Sequence, residues 1–129
     1  MKTLTLLAIF LASTASAQDV AQGRDVFQNH CATCHGTGAR GNGPMADVLS
    51  VVPTDLTTLA ASNGGEFPTA RVVRRVDGQR EVLAHGGPMP LWGMILDGPS
   101  AMIVAPDGAE IVAPEAIVDV AAWLATVQR

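Results

Sequence analysis

Apolar residues along this chain recur mostly at helical spacing. Val20, Gly23 and Phe27 fall on one face of a segment that Asp19 is suited to cap, which predicts a helix running to about Asn29. Near the other end, Ile117, Val120, Leu124 and Val127 repeat at the same period, with Trp123 beside the stripe and Pro114 suited to the first helical position. Gly23 is a poor helix former. Its place on an apolar face predicts a close approach by another backbone, so the two helices are expected to cross there. Two amphipathic helices that pack elsewhere would show the same periodicity.

Shorter elements lie between them. Gly36 to Gly43 is rich in glycine and holds no large apolar side chain, so it reads as a loop. Pro44 is expected to open a short helix with Met45, Val48, Leu49 and Val52 on a buried face, ended by Pro53-Thr54-Asp55-Leu56-Thr57. Asn63-Gly64-Gly65 is a turn. Phe67-Pro68-Thr69 leads into a helix through Arg75 or Val76, with Val72, Val73 and Val76 inward and Asp77-Gly78 as its stop. His85-Gly86-Gly87-Pro88 suits no regular element. Ala101 to Val104 and Glu110 to Val112 flank Pro106-Asp107-Gly108, a pattern compatible with a short β-hairpin near 101–112. The fold class expected is therefore mainly α.

The first residues read differently. Met1-Lys2 is a short positive start, Leu4 to Ala12 is almost wholly apolar, and Ala15-Ser16-Ala17 is a small-residue cleavage site. Residues 1–17 are expected to be a signal peptide, leaving one domain over 18–129. The apolar run is shorter than the roughly 20 residues that a spanning helix needs, and no cysteine follows the site to carry a lipid. The mature protein is expected in an exported compartment, a bacterial periplasm, with no membrane anchor.

The candidate chemistry lies in Cys31-Ala32-Thr33-Cys34-His35. Two thiols separated by two residues can reach the two vinyl groups on one edge of a haem, and the histidine that follows is then placed over the iron. A redox dithiol is the first rival, but no βαβ pattern surrounds the motif. A structural zinc site is the second. It needs more thiolates or well-spaced histidines, and the chain has 2 cysteines and 3 histidines.

Composition agrees with a bound haem. The chain holds no Tyr, and Phe27, Phe67, Trp92 and Trp123 are the aromatic residues beyond the leader. That limits the apolar volume of a protein core, which a large flat cofactor would supplement. The formal charge is −4, and the sparse basic residues give no nucleic-acid footprint. Lys2 is the only lysine, so no lysine ring surrounds a haem edge. Arg71, Arg74 and Arg75 share one helix face by spacing. They form a solvated face, or else pair with a haem propionate or an acidic partner. No Ser/His/Asp constellation, phosphate loop or carboxylate pair stands out, so substrate chemistry is not indicated.

A sixth iron ligand is open to several residues. Met89 stands between Pro88 and Pro90, which restrict the backbone and suit a side chain that must be aimed. A thioether stabilises reduced iron. Met94 and Met102 are rival thioethers with ordinary packing as the alternative. His85 would give a bis-histidine haem, and an open position is the remaining case.

With these residues in view, the chain resembles the class I soluble bacterial c-type cytochromes, the small monohaem family. The residues that carry the resemblance are Cys31-Ala-Thr-Cys34-His35-Gly36, Gly41-Asn-Gly43-Pro44, Pro53-Thr-Asp55-Leu56-Thr57, Asn63-Gly-Gly-Glu-Phe67-Pro68 and Met89-Pro90-Leu-Trp92-Gly93. The resemblance implies one covalent haem c held by thioether bonds from Cys31 and Cys34, with His35 and Met89 as axial ligands. It also implies that the Pro44 carbonyl accepts the proton on the other nitrogen of His35. The implied function is single-electron transfer between redox partner proteins in the periplasm or membrane, as a monomer or as the haem subunit of a larger oxidoreductase. A ligand-sensing haem is the remaining reading. The stretch from Met94 to Ala113 departs from the shortest members of the family.

Overall fold

A computed structural model describes residues 18–78 and 88–129. The signal peptide expected over 1–17, and His85, lie outside the described residues. Four helices and one hairpin follow in order: α1 (Val20–His30), α2 (Ala32–His35), α3 (Thr69–Asp77), β1 (Ser100–Val104), β2 (Glu110–Pro114) and α4 (Glu115–Thr126). The fold is mainly helical, as the periodicity predicts.

Helix α1 begins where Asp19 accepts a hydrogen bond from the Gln22 amide at 3.0 Å, which satisfies one of the free donors of a first turn. The Asp19 amide in turn donates to Asp119 Oδ1 of α4 at 2.8 Å. Asp119 is buried among apolar neighbours, and burial raises its carboxyl above the ordinary carboxylate range. The start of α1 is thereby tied to the middle of α4.

The two helices cross at Gly23, as the sequence predicts. A Cβ there would run into the Asp119 carbonyl of α4. The close approach lets Phe27 of α1 pack on Trp123 of α4, with ring centroids 4.6 Å apart. Phe27, Ile117 and Leu124 are the largest fully buried side chains, joined by Val73 of α3. One contiguous apolar cluster thus joins α1, α3 and α4.

The hairpin pairs β1 with β2 antiparallel, Met102 opposite Val112 and Ala101 opposite Ala113. Its strands are longer than the sequence pattern suggests. Ile111 and Ala113 face the core, while Met102, Val104 and Val112 point outward and are exposed, the alternation of a half-buried strand.

One expected element is absent. The segment after Pro44 forms a single 3₁₀ turn, Ala46–Val48, and not a helix with a buried face. Val48 and Val52 are 71% and 79% exposed. Their spacing suits a helix, but among the described residues no element covers that face. Leu49, Val51 and Val52 border a cavity instead.

Replacing Gly23 with alanine is expected to lower the unfolding free energy by about 1–3 kcal/mol, the usual cost of overpacking. Denaturant titration measures it. A gain of about 1 kcal/mol, the value expected from helix propensity alone, would show that the crossing is looser than described.

Candidate haem site

The attachment motif sits at a corner. Cys31 caps the end of α1, its amide donating to the Phe27 carbonyl at 2.8 Å. Its own carbonyl then accepts from the His35 amide at 2.9 Å and so opens the one-turn helix α2. This turn points Cys31, Cys34 and His35 into one cavity of about 650 Å³, a cofactor-sized volume on the ~300–1,000 Å³ scale of ligand clefts.

The walls are largely apolar. Phe27, Leu49, Val51, Val52, Leu56, Leu59, Val120 and Leu124 line the cavity, together with Val72 and Val76 of α3. Met89, with Pro88, Pro90, Leu91 and Trp92, forms part of the lining. Met94 and Met102 do not line it and are 81% and 58% exposed. Arg71, Arg74 and Arg75 also border the cavity. The arginines expected to share one face therefore border the site, with Arg71 and Arg75 exposed.

His35 Nδ1 lies 3.1 Å from the carbonyl oxygen of Thr54. The resemblance pointed to Pro44 as that acceptor, and here the structure corrects it. Residues around Pro44 are bound to the backbone of the motif: the Gly43 amide donates to the Cys34 carbonyl at 3.0 Å and the Met45 amide to the Thr33 carbonyl at 3.0 Å. The chain then returns, and the Leu56 amide donates to the Ala39 carbonyl at 2.8 Å. That second bond brings Thr54, rather than Pro44, to the ring. Gly41 allows the return to pass close, because a Cβ there would meet the Pro53 carbonyl, and its φ of 76° lies in the left-handed region.

A carbonyl can only accept, so the Nδ1 nitrogen carries the proton and Nε2 keeps its lone pair. Burial lowers the His35 pKa, opposed in part by the bond to Thr54. Burial thus favours the neutral imidazole, the form that binds a metal. Burial first, and the neighbouring Cys34 second, push the Cys31 thiol up to about 11. A thiol kept protonated in this way is unlike the low-pKa nucleophile of a dithiol redox centre. Among the described residues no group of three or more His, Cys, Asp or Glu side chains is placed to hold a bare metal ion, which counts against the zinc reading. An apolar cavity with two thiols and one neutral imidazole on its wall fits a covalently bound haem.

Three features of the site have little or no signal in the sequence. His30 packs its ring edge-on against Trp92 at 5.6 Å, tying the end of α1 to the segment after Met89. Ala39 is fully buried with φ 59°, a conformation that non-glycine residues seldom adopt. The third is a set of hydrogen bonds between Gln128 and Arg129 and residues 55–60.

A family model for cytochrome c matches residues 20–128. No curated protein and no solved structure gives a significant match. The fold and the cavity define a small helical haem protein. The chain belongs to the cytochrome c family. It accordingly binds haem c covalently, with its iron, and is a haem-based electron carrier.

Asp55 yields a pH dependence. The Thr57 hydroxyl and amide hold its carboxyl down to about 2, with Arg129 adding to them. A depressed carboxyl stabilises the fold fully above its ordinary value of about 4, and that contribution is lost as pH falls through about 2. Asp55→Asn is expected to be less stable than the parent at neutral pH, with the gap closing between about pH 4 and pH 2. Urea unfolding across that range reads it, and a gap that persisted in strong acid would contradict the account.

Proposed function

We propose that this protein is a periplasmic monohaem c-type cytochrome that carries single electrons between redox partner proteins. In this reading Cys31 and Cys34 form the thioether bonds, and His35 and Met89 are the axial ligands. The observation that carries it is that all four residues line one apolar cavity. The leader at residues 1–17 supports export.

When bound, the haem supplies a one-electron Fe(III)/Fe(II) couple. The chain's residues do the rest. Thr54 orients the His35 ring through Nδ1 and raises the basicity of Nε2. Pro88 and Pro90 limit the backbone freedom of Met89, so its thioether stays aimed in both oxidation states. Phe27, Leu56, Leu59 and Leu124 line the cavity and would keep water from a bound haem, which would strengthen the effect of each ligand on the potential. Arg71, Arg74 and Arg75 on the cavity border supply cations for the propionates. What supports Met89 over Met94 and Met102 is position, since neither rival borders the cavity.

A second reading has an observation behind it. Met102, Val104 and Val112 share the outer face of the hairpin and are each more than half exposed, and exposed apolar patches often mark protein interfaces. They suit a haem subunit that docks on a larger oxidoreductase. Gel filtration of a periplasmic extract distinguishes the two: a free carrier elutes at the size of the 18–129 domain, a subunit at a larger one.

Met89→Ala is expected to lose the near-infrared methionine–Fe(III) band and to lower the reduction potential, because a weaker or absent sixth ligand no longer favours Fe(II). The haem colour should survive acid–acetone extraction in parent and variant alike. An unchanged spectrum in Met89→Ala would remove it from the ligand set.

A further inference from the structure

The 54–60 segment holds the carbonyl that meets His35, yet it has little regular structure of its own, only 3₁₀ turns such as Leu56–Thr58. Its position depends on what grips it. Two residues beyond α4 do so through side chains and backbone together. Gln128 Nε2 donates to the Leu56 carbonyl at 2.8 Å and to the Leu124 carbonyl at 2.8 Å. Gln128 Oε1 accepts from the Ala60 amide at 2.9 Å. The Arg129 amide donates to the Thr57 carbonyl at 3.0 Å. Arg129 Nε donates to Thr57 Oγ1 at 2.8 Å, and Nη2 to Asp55 Oδ2 at 2.8 Å. Thr57 is 3% exposed, and its hydroxyl passes its own proton to Asp55 Oδ1 at 2.6 Å.

These contacts close a ring of rigid parts. Helix α1 leads into α2 and His35, and His35 meets Thr54. Residues 55–60 are bound to Gln128 and Arg129, which follow α4, and α4 is packed on α1 at Gly23. The Leu56 amide bond to Ala39 holds the segment from its other side.

We propose that Gln128 and Arg129 are positioning residues for the axial imidazole: they clamp residues 55–60 and so hold the Thr54 carbonyl on His35 Nδ1. The proposal rests on the reading of His35 as an iron ligand. A firm acceptor at Nδ1 makes the imidazole a more basic ligand, which favours Fe(III). A loosened segment weakens the bond and favours Fe(II). An exposed ion pair such as Arg129–Asp55 contributes little to global stability, so its effect is expected at the ligand more than in the fold.

The test uses the exported, haem-loaded protein. Arg129→Ala, Gln128→Ala and the double variant are compared with the parent by redox titration, by NMR exchange of the His35 Nδ1 proton in the reduced state, and by thermal unfolding. In the double variant the ratio of oxidised to reduced protein at the parent's midpoint should fall about threefold, less than the effect of removing such a partner outright. That fold-change is an upward shift of about 30 mV at about 59 mV per tenfold for one electron. The Nδ1 proton should exchange about tenfold faster, as expected for easier local opening. Arg129→Lys, which keeps a cation toward Asp55, should lie between parent and Arg129→Ala. Unchanged potential and exchange, with only the unfolding temperature lowered, overturn the proposal and leave a structural staple. Where the double variant retains no haem, Arg129→Ala decides by the same measurements, since its side chain is 57% exposed. A parent lacking a protected imidazole proton coupled to the iron overturns the axial reading itself, and with it the clamp.

Discussion

The close passage of α1 over α4 at Gly23 is the contact on which the other parts depend. With no side chain at that point, the two backbones meet, and Phe27, Trp123, Ile117 and Leu124 close around the crossing. Because Cys31 ends α1 and begins α2, the direction of α1 also decides where the two thiols and His35 point. The cavity they enter is lined in part by Phe27, Val120 and Leu124, members of the same helix pair. Core and site are thus built from one set of side chains.

This sharing explains the modest aromatic content. The protein part of the core is assembled from valine, alanine, isoleucine and leucine, with two aromatic rings at the crossing. The largest apolar body is the family's covalent haem. Valines that look helical in spacing, such as Val48 and Val52, are left exposed by the polypeptide, and Val52 with Val51 borders the cavity. The hydrophobicity of Val51 and Val52 belongs to the wall of the cavity rather than to a helix face.

The orientation of His35 is governed at one remove. Its ring is oriented by a backbone carbonyl, and that carbonyl lies on a segment tied to residues beyond α4. A hydrogen bond of this kind costs nothing in side-chain specificity, since any residue at position 54 offers a carbonyl. What must be specific is the grip on the segment, which draws on Asp55, Thr57, Gln128 and Arg129. The orientation of the His35 ring and the packing of the last helix are mechanically linked in consequence.

Much of this could be read along the chain. The Cys31 to His35 motif, the cap at Asp19, the stripe from Ile117 to Leu124, the crossing at Gly23 and the hairpin around Pro106 to Gly108 all follow from local chemistry or from periods of two and 3.6 residues. Such signals persist because they act between residues close in sequence. The acceptor for His35 and the clamp at Gln128 and Arg129 were decided in three dimensions. They depend on the path of an irregular loop whose course is set by backbone hydrogen bonds to distant carbonyls. Those carbonyls are common to every residue type and so leave no mark in the order of amino acids.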